Sequence, residues 1–150
     1  MIIPAQLCGL IVEDNDYSRS LAAGCLKKLG IGTVLEAPDG AAGLQLLHNQ
    51  SIDFVLLDWY MPEINGAGFI RLAREGQVNC PRDIPIIIST AYATRENITR
   101  IQELGVKEIL IKPFDAKQLS RAISGALSKV TTGISNDEPE DDADDEQILL

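Results

Sequence analysis

The sequence has few of the features that indicate a disulfide-rich, zinc-binding, secreted or membrane protein. It contains three cysteines, Cys8, Cys25 and Cys80, at wide spacing and without a CxxC pair, which indicates neither a disulfide framework nor a zinc site. No apolar run approaches the roughly 18 residues of a membrane span. The first residues lack the basic and apolar regions of a secretory signal. We therefore expect a cytoplasmic protein that does not enter a membrane.

Positive charge is missing from the last part of the chain, because no Lys or Arg follows Lys129. The acidic residues after it carry −8 of the formal net charge of −9, which leaves −1 for the body of the protein. A nearly neutral body gives no electrostatic footprint for nucleic acid. We expect one domain over residues 1–130 and an acidic, disordered tail or linker over residues 131–150. Whether the chain is a stand-alone protein or part of a longer one stays open.

Five short apolar runs alternate with five segments whose apolar residues recur at helical spacing. Such alternation implies parallel strands joined by right-handed crossovers, with helices on both faces of the sheet. We therefore predict an α/β fold with a doubly wound, five-stranded parallel sheet. The predicted strands are Leu7–Val12, Thr33–Glu36, Phe54–Leu57, Ile86–Ser89 and Glu108–Ile111.

Polar residues follow four of these runs at their carboxyl ends, where open α/β sheets bind ligands. They are, in chain order, Glu13, Asp14, Asp58, Thr90 and Lys112. Three crowded carboxylates repel one another, and a divalent cation relieves that repulsion. Oxygen-only ligands favour Mg²⁺. With Lys112 to neutralise phosphoryl oxygens and Thr90 to donate a hydrogen bond, Asp58 is suited to attack phosphorus and form an acyl phosphate.

Taken together, these motifs resemble the receiver domain of two-component response regulators, over about Leu7–Leu127. The resemblance is carried by Glu13-Asp14, Asp58, Met61-Pro62, Asn65-Gly66, Thr90-Ala91 and Lys112-Pro113-Phe114. It implies a flavodoxin-like fold with strand order 2-1-3-4-5. It also implies a phosphorylation-dependent switch that catalyses its own phosphotransfer and dephosphorylation, without turning over an external substrate.

The resemblance assigns a role to each residue of the metal site. It implies that Asp58 accepts a phosphoryl group from a sensor histidine kinase or a phosphotransfer protein. Asp14, Asp58 and the backbone carbonyl of Tyr60 would bind Mg²⁺, and Glu13 would act directly or through water. Glu13 stands where the family usually has Asp, so its longer side chain should reach the metal differently.

The resemblance also implies how the phosphorylated state is transmitted. Lys112 would contact the phosphoryl group, and its peptide bond to Pro113 would be cis. Thr90 would move towards the phosphoryl group and signal to a face made by the fourth helix, the fifth strand and the fifth helix. That face would bind an output partner or a second copy of the chain. Ile109 stands where the family usually has the aromatic residue coupled to the threonine.

Two tyrosines, Tyr60 and Tyr92, lie two residues beyond Asp58 and Thr90. In receivers these positions flank the phosphoryl group, so we expect the two rings to slow its hydrolysis.

Two other functions compete with the phosphorylated switch. A pseudo-receiver that binds partners without phosphorylation typically lacks the Asp or the Lys, and this chain has both Asp58 and Lys112. An aspartyl-nucleophile phosphatase usually carries a DxD pattern at its first strand, whereas Glu13 and Asp14 are adjacent here.

Overall fold

The computed structural model describes residues 2–128, which form a five-stranded sheet with helices on both faces. The strands are β1 (Cys8–Val12), β2 (Thr33–Ala37), β3 (Phe54–Asp58), β4 (Ile86–Thr90) and β5 (Glu108–Ile111). The helices are α1 (Asp16–Lys28), α2 (Gly40–Asn49), α3 (Gly66–Arg74), α4 (Arg95–Glu103) and α5 (Ala116–Leu127), and a short 3₁₀ helix (Pro4–Gln6) precedes β1. No helix within residues 2–128 combines the length and hydropathy needed to cross a bilayer.

Every strand pair is parallel, and the strand order is β2-β1-β3-β4-β5. The predicted fold class and strand order are therefore confirmed. The predicted acidic tail, residues 131–150, lies outside the described residues, so its disorder and the domain boundary at residue 130 stay predictions.

Two apolar cores, one on each face of the sheet, hold the layers together. The core beneath α2, α3 and α4 includes Leu10, Leu47, Val55, Leu57, Phe69, Ile88 and Ile101. The core beneath α1 and α5 includes Ile11, Leu26, Phe54, Leu56, Ile87, Leu119 and Ile123. Successive strand residues point to opposite faces. Since both faces are covered, every residue of β3 and β4 is buried, which explains their continuous apolar sequences.

Short polar side chains cap the amino ends of the helices, which follow the loops at the carboxyl edge of the sheet. Asn15 caps α1 and Thr94 caps α4, each accepting a backbone N–H of the first turn. Asp115 caps α5 through a complete capping box with Gln118. Asn65 caps α3 by accepting the N–H of Gly68 at 2.9 Å, and the helix begins at Gly66.

Candidate functional site

The strand register places the predicted site residues side by side at one edge of the sheet. Val12 of β1 pairs with Leu57 of β3, so the next residues along the two strands, Glu13 and Asp58, are neighbours. The last residue of β5 pairs with the last residue of β4, and Lys112 follows it directly. Glu13, Asp58 and Lys112 each lie two positions after a strand residue that belongs to the core beneath α1 and α5. Alternation along the strands therefore directs all three side chains to the same face.

The ammonium group of Lys112 joins the two buried carboxylates. Its Nζ donates to Glu13 Oε1 at 2.6 Å and to Asp58 Oδ1 at 3.1 Å. The side chains of Lys112, Glu13 and Asp58 are only 22%, 6% and 9% exposed. The second oxygen of Glu13, Oε2, accepts the backbone N–H of Asn15 at 3.2 Å, so both oxygens of this carboxylate have partners.

A third carboxylate completes an acidic cluster that suits a divalent cation. Glu13, Asp14 and Asp58 each offer one oxygen, and these three oxygens lie within 4.8 Å of one another. Asp14 is exposed, whereas the other two are buried. Lys112 offsets one of the three negative charges, so an excess of two remains when all are ionised. An all-oxygen set that is open to solvent on one side fits Mg²⁺, which keeps several of its waters.

The pKa values of Asp58 and Lys112 are both raised, which disfavours the charged carboxylate and favours the charged ammonium. Burial raises the pKa of Asp58 to about 6, Glu13 and Asp14 contribute to the rise, and Lys112 opposes it. Burial lowers the pKa of Lys112, but its hydrogen bond to Glu13 and the charge of Asp58 outweigh this, so the pKa of Lys112 lies above its usual value. At neutral pH Asp58 is therefore mostly ionised, and Lys112 is protonated.

The loop after β3 folds tightly against the site. The Trp59 N–H donates to the Ser89 carbonyl at 3.0 Å, and the Gly66 N–H donates to the Trp59 carbonyl at 3.0 Å. A Cβ atom at Gly66 would lie 2.8 Å from the Trp59 ring and 3.2 Å from the Asp58 carbonyl oxygen. Only glycine fits this approach without a shift of the backbone that carries Asp58. The Lys112–Pro113 peptide bond, which directly follows β5, is cis.

Thr90 lies at the same edge of the sheet, where its hydroxyl bonds to the following loop. Its side chain is 1% exposed, and its Oγ1 accepts the backbone N–H of Tyr92 at 2.9 Å. Within residues 2–128, no side-chain hydrogen bond joins Thr90 to Asp58 or Lys112. Ile109 is partly buried and packs against the core beneath α2, α3 and α4.

A hydrogen-bonded contact between two loops was not anticipated from the sequence. The rings of Tyr60 and Tyr92 meet edge to face, with centroids 5.4 Å apart and planes at 88°. Asn97 Nδ2 donates to the Tyr60 hydroxyl at 3.0 Å and to the Tyr92 carbonyl at 2.8 Å. No local sequence pattern links Asn97 to Tyr60, which lies 37 residues away along the chain.

Comparisons of the sequence with known proteins point to one family. The family model described as the response regulator receiver domain matches residues 10–124. The chemotaxis protein CheY of Pseudomonas aeruginosa is 32% identical over 121 residues, which cover 81% of this chain and 96% of that protein. The chemotaxis protein CheY-3 of Vibrio cholerae is also 32% identical, over 81% of this chain and 92% of that protein.

Solved structures share the fold. The chemotaxis protein CheY4 of Vibrio cholerae superposes with a TM-score of 0.73 at 24% identity, over 81% of this chain and 98% of that one. The receiver domain of the sensor histidine kinase PA1611 from Pseudomonas aeruginosa PAO1 superposes with a TM-score of 0.72 at 27% identity, over 81% of this chain and 97% of that one. The PA1611 structure has a magnesium ion coordinated in its active site cleft.

Proposed function

Since this chain belongs to the family of response regulator receiver domains, we propose that it is a switch in which Asp58 accepts a phosphoryl group from a histidine kinase or a phosphotransfer protein. Receiver domains act in two-component signalling and generally accept phosphoryl groups from such partners. The proposal for Asp58 is carried by one observation: its buried carboxylate lies 3.1 Å from the Lys112 ammonium, at an edge shared with two further carboxylates.

The transfer itself needs a nucleophile and compensation of charge. A carboxylate oxygen of Asp58 attacks phosphorus and forms the O–P bond, while the P–N bond of the donor phosphohistidine breaks. The imidazole leaves with the electron pair of that bond. Lys112 neutralises charge on the phosphoryl oxygens, because its ammonium already lies within hydrogen-bond reach of Asp58. Thr90 is buried beside the site, and we assign its hydroxyl to a phosphoryl oxygen in the phosphorylated state.

Glu13, Asp14, Asp58 and the backbone carbonyl of Tyr60 would hold Mg²⁺. The all-oxygen cluster and its excess of two negative charges support this assignment. When bound, the ion supplies further compensation for the charge of the phosphoryl oxygens. Glu13 is already held by Lys112 and by the Asn15 N–H, so we assign it the water-mediated contact rather than the direct one.

A groove beside Lys112 is suited to the phosphodonor. It has a volume of about 400 Å³, and its walls include Tyr17, Leu21 and Phe114. Tyr17 and Leu21 are 73% and 54% exposed, so a partner that enters the groove can contact both side chains. We assign this groove to the histidine kinase or phosphotransfer domain, because the donor imidazole must approach Asp58 from a surface that borders the site. We assign a second face, formed by α4, β5 and α5, to an output partner or a second copy of the chain.

The decisive experiment uses acetyl phosphate with Mg²⁺ as donor and intact-protein mass spectrometry as readout. The wild type should gain one phosphoryl group, and Asp58→Asn should gain none. Asp39→Asn is the matched control, because Asp39 caps α2 by accepting the Ala42 N–H and asparagine caps equally well. Chelation of Mg²⁺ should prevent the gain in every variant. An unmodified wild type would indicate a pseudo-receiver, and an equal gain on Asp58→Asn would contradict the assignment of the acceptor.

A further inference from the structure

The side-chain amide of Asn97 connects α4 to both loops that border the phosphoacceptor. One nitrogen, Nδ2, donates to the Tyr60 hydroxyl on the loop after β3 and to the Tyr92 carbonyl on the loop after β4. The backbone of Asn97 is held in turn, since its N–H donates to Thr94 Oγ1 at 3.1 Å. The amide is therefore anchored on the first turn of a capped helix and bridges two separate loops.

The hydrogen bonds of this bridge extend through Tyr92 to the hydroxyl group of Thr90. The Tyr92 carbonyl accepts a hydrogen bond from Asn97, and the Tyr92 N–H donates to Thr90 Oγ1 at 2.9 Å. The Tyr60 ring packs edge to face on the Tyr92 ring. Yet Tyr60 and Tyr92 are 50% and 62% exposed, so no apolar core holds them. Among the contacts of residues 2–128, the ring pair and the Asn97 hydrogen bonds are what keep them together.

We propose that Asn97 is a positioning residue that holds Tyr60 and Tyr92 together beside Asp58 and thereby sets the lifetime of the phosphoryl group. The inference rests on the proposed phosphorylation of Asp58. Hydrolysis requires a water molecule to attack phosphorus, which breaks the O–P bond and releases phosphate and the free carboxylate. Two rings that are locked together two residues beyond Asp58 and Thr90 restrict the approach of that water. Without the amide, each ring can turn away separately, and the approach opens.

The same bridge gives α4 a direct connection to the phosphorylation site. Ile109 has no ring that could follow Thr90 inward. The Asn97 amide instead ties the first turn of α4 to both loops, so a change in either loop acts on the start of that helix. The bridge therefore provides a hydrogen-bonded route from the site to α4 that does not use β5.

The test measures the first-order loss of the phosphoryl group by intact mass, after the acetyl phosphate has been removed. Asn97→Ala should shorten the lifetime about two- to tenfold, the range given by the loss of ordinary hydrogen bonds. Tyr60→Phe keeps the ring but removes the acceptor hydroxyl, so it tests one of the hydrogen bonds without altering α4. Gln102→Ala removes an exposed amide from the same helix and should leave the lifetime unchanged.

A double-mutant cycle separates a shared hydrogen bond from two independent effects. If Asn97 acts partly through the Tyr60 hydroxyl, Asn97→Ala should shorten the lifetime less in the Tyr60→Phe background than in the wild type. The melting temperature and the yield of adduct should stay close to those of the wild type, since neither group lies in a core. Provided that the wild type forms the adduct, either of two results would overturn the inference. One is an unchanged lifetime in Asn97→Ala. The other is a double variant whose lifetime is shortened by the full product of the two single effects. If the wild type forms no adduct, the proposed function itself fails, and this inference fails with it.

Discussion

Replacing Glu108 by glutamine should stabilise the protein at neutral pH and leave its stability nearly unchanged at about pH 4. Glu108 begins β5 and points to the face covered by α5, where it is half-buried. Its carboxylate packs so closely on α5 that a Cβ atom at Gly125 would overlap it. Burial raises the pKa of Glu108 from 4.5 to about 7, and the charge of Lys107 only partly opposes the rise.

The sign of the effect follows from where the proton is bound. Between pH 4.5 and about 7 the folded protein keeps the Glu108 proton, whereas the unfolded chain has lost it. The contribution of Glu108 to the free energy of unfolding is therefore fully present below pH 4.5 and is lost as the pH rises from 4.5 to about 7. The shift from 4.5 to about 7 corresponds to at most about 3 kcal/mol. Partial contact with solvent reduces it to about 1–2 kcal/mol.

Thermal unfolding at two pH values tests this expectation. At about pH 7.5 the Glu108→Gln variant should melt about 3 to 10 °C above the wild type, and at about pH 4 the two should coincide. Glu103→Gln is the matched control, because it removes the same charge from an exposed position on α4. Equal melting temperatures at neutral pH, or the same increase at both pH values, would refute the argument from burial.

Three further substitutions test the caps, the core and the charged cluster. Asp115→Ala should lower the free energy of unfolding by about 1 kcal/mol in urea titrations, because it removes the capping box of α5. Asp115→Asn should retain most of the stability that the cap provides, because asparagine is also a good N-cap residue. Phe69→Ala should cost about 3–5 kcal/mol in the same assay, since this side chain is fully buried beneath α3; a smaller loss would mean that the core closes around the gap. Lys112→Ala removes the cation between Glu13 and Asp58, so Mg²⁺ should bind about tenfold more tightly by calorimetry while the yield of the phosphoryl adduct falls. Weaker Mg²⁺ binding in that variant would contradict the charge balance given for the cluster.

Much of the fold could be predicted because its strands and helices differ in local pattern. The continuous apolar runs of β1, β3 and β4 follow from burial on both faces. Short polar caps such as Asn15, Thr94 and Asp115 mark the beginnings of three helices. The short helix Pro4–Gln6 was missed, because three residues contain no periodicity to read.

The site could be predicted as a set of residues but not as a set of contacts. Parallel strands bring their carboxyl ends to one edge whatever their order, so Glu13, Asp58 and Lys112 were expected together. The sequence does not reveal that one ammonium bonds two carboxylates that are 99 and 54 residues away along the chain.

The sequence by itself determined the alternation of strands and helices, the residues at the strand ends and hence the chemistry that the edge can support. Tertiary structure alone decided which face each strand residue occupies, because strands buried on both sides have no polar alternation to indicate it. It also decided that Glu108 lies against α5 with a raised pKa, and that Asn97 reaches Tyr60 across two loops. Such contacts depend on the packing of distant segments, and no local pattern of residue types encodes them.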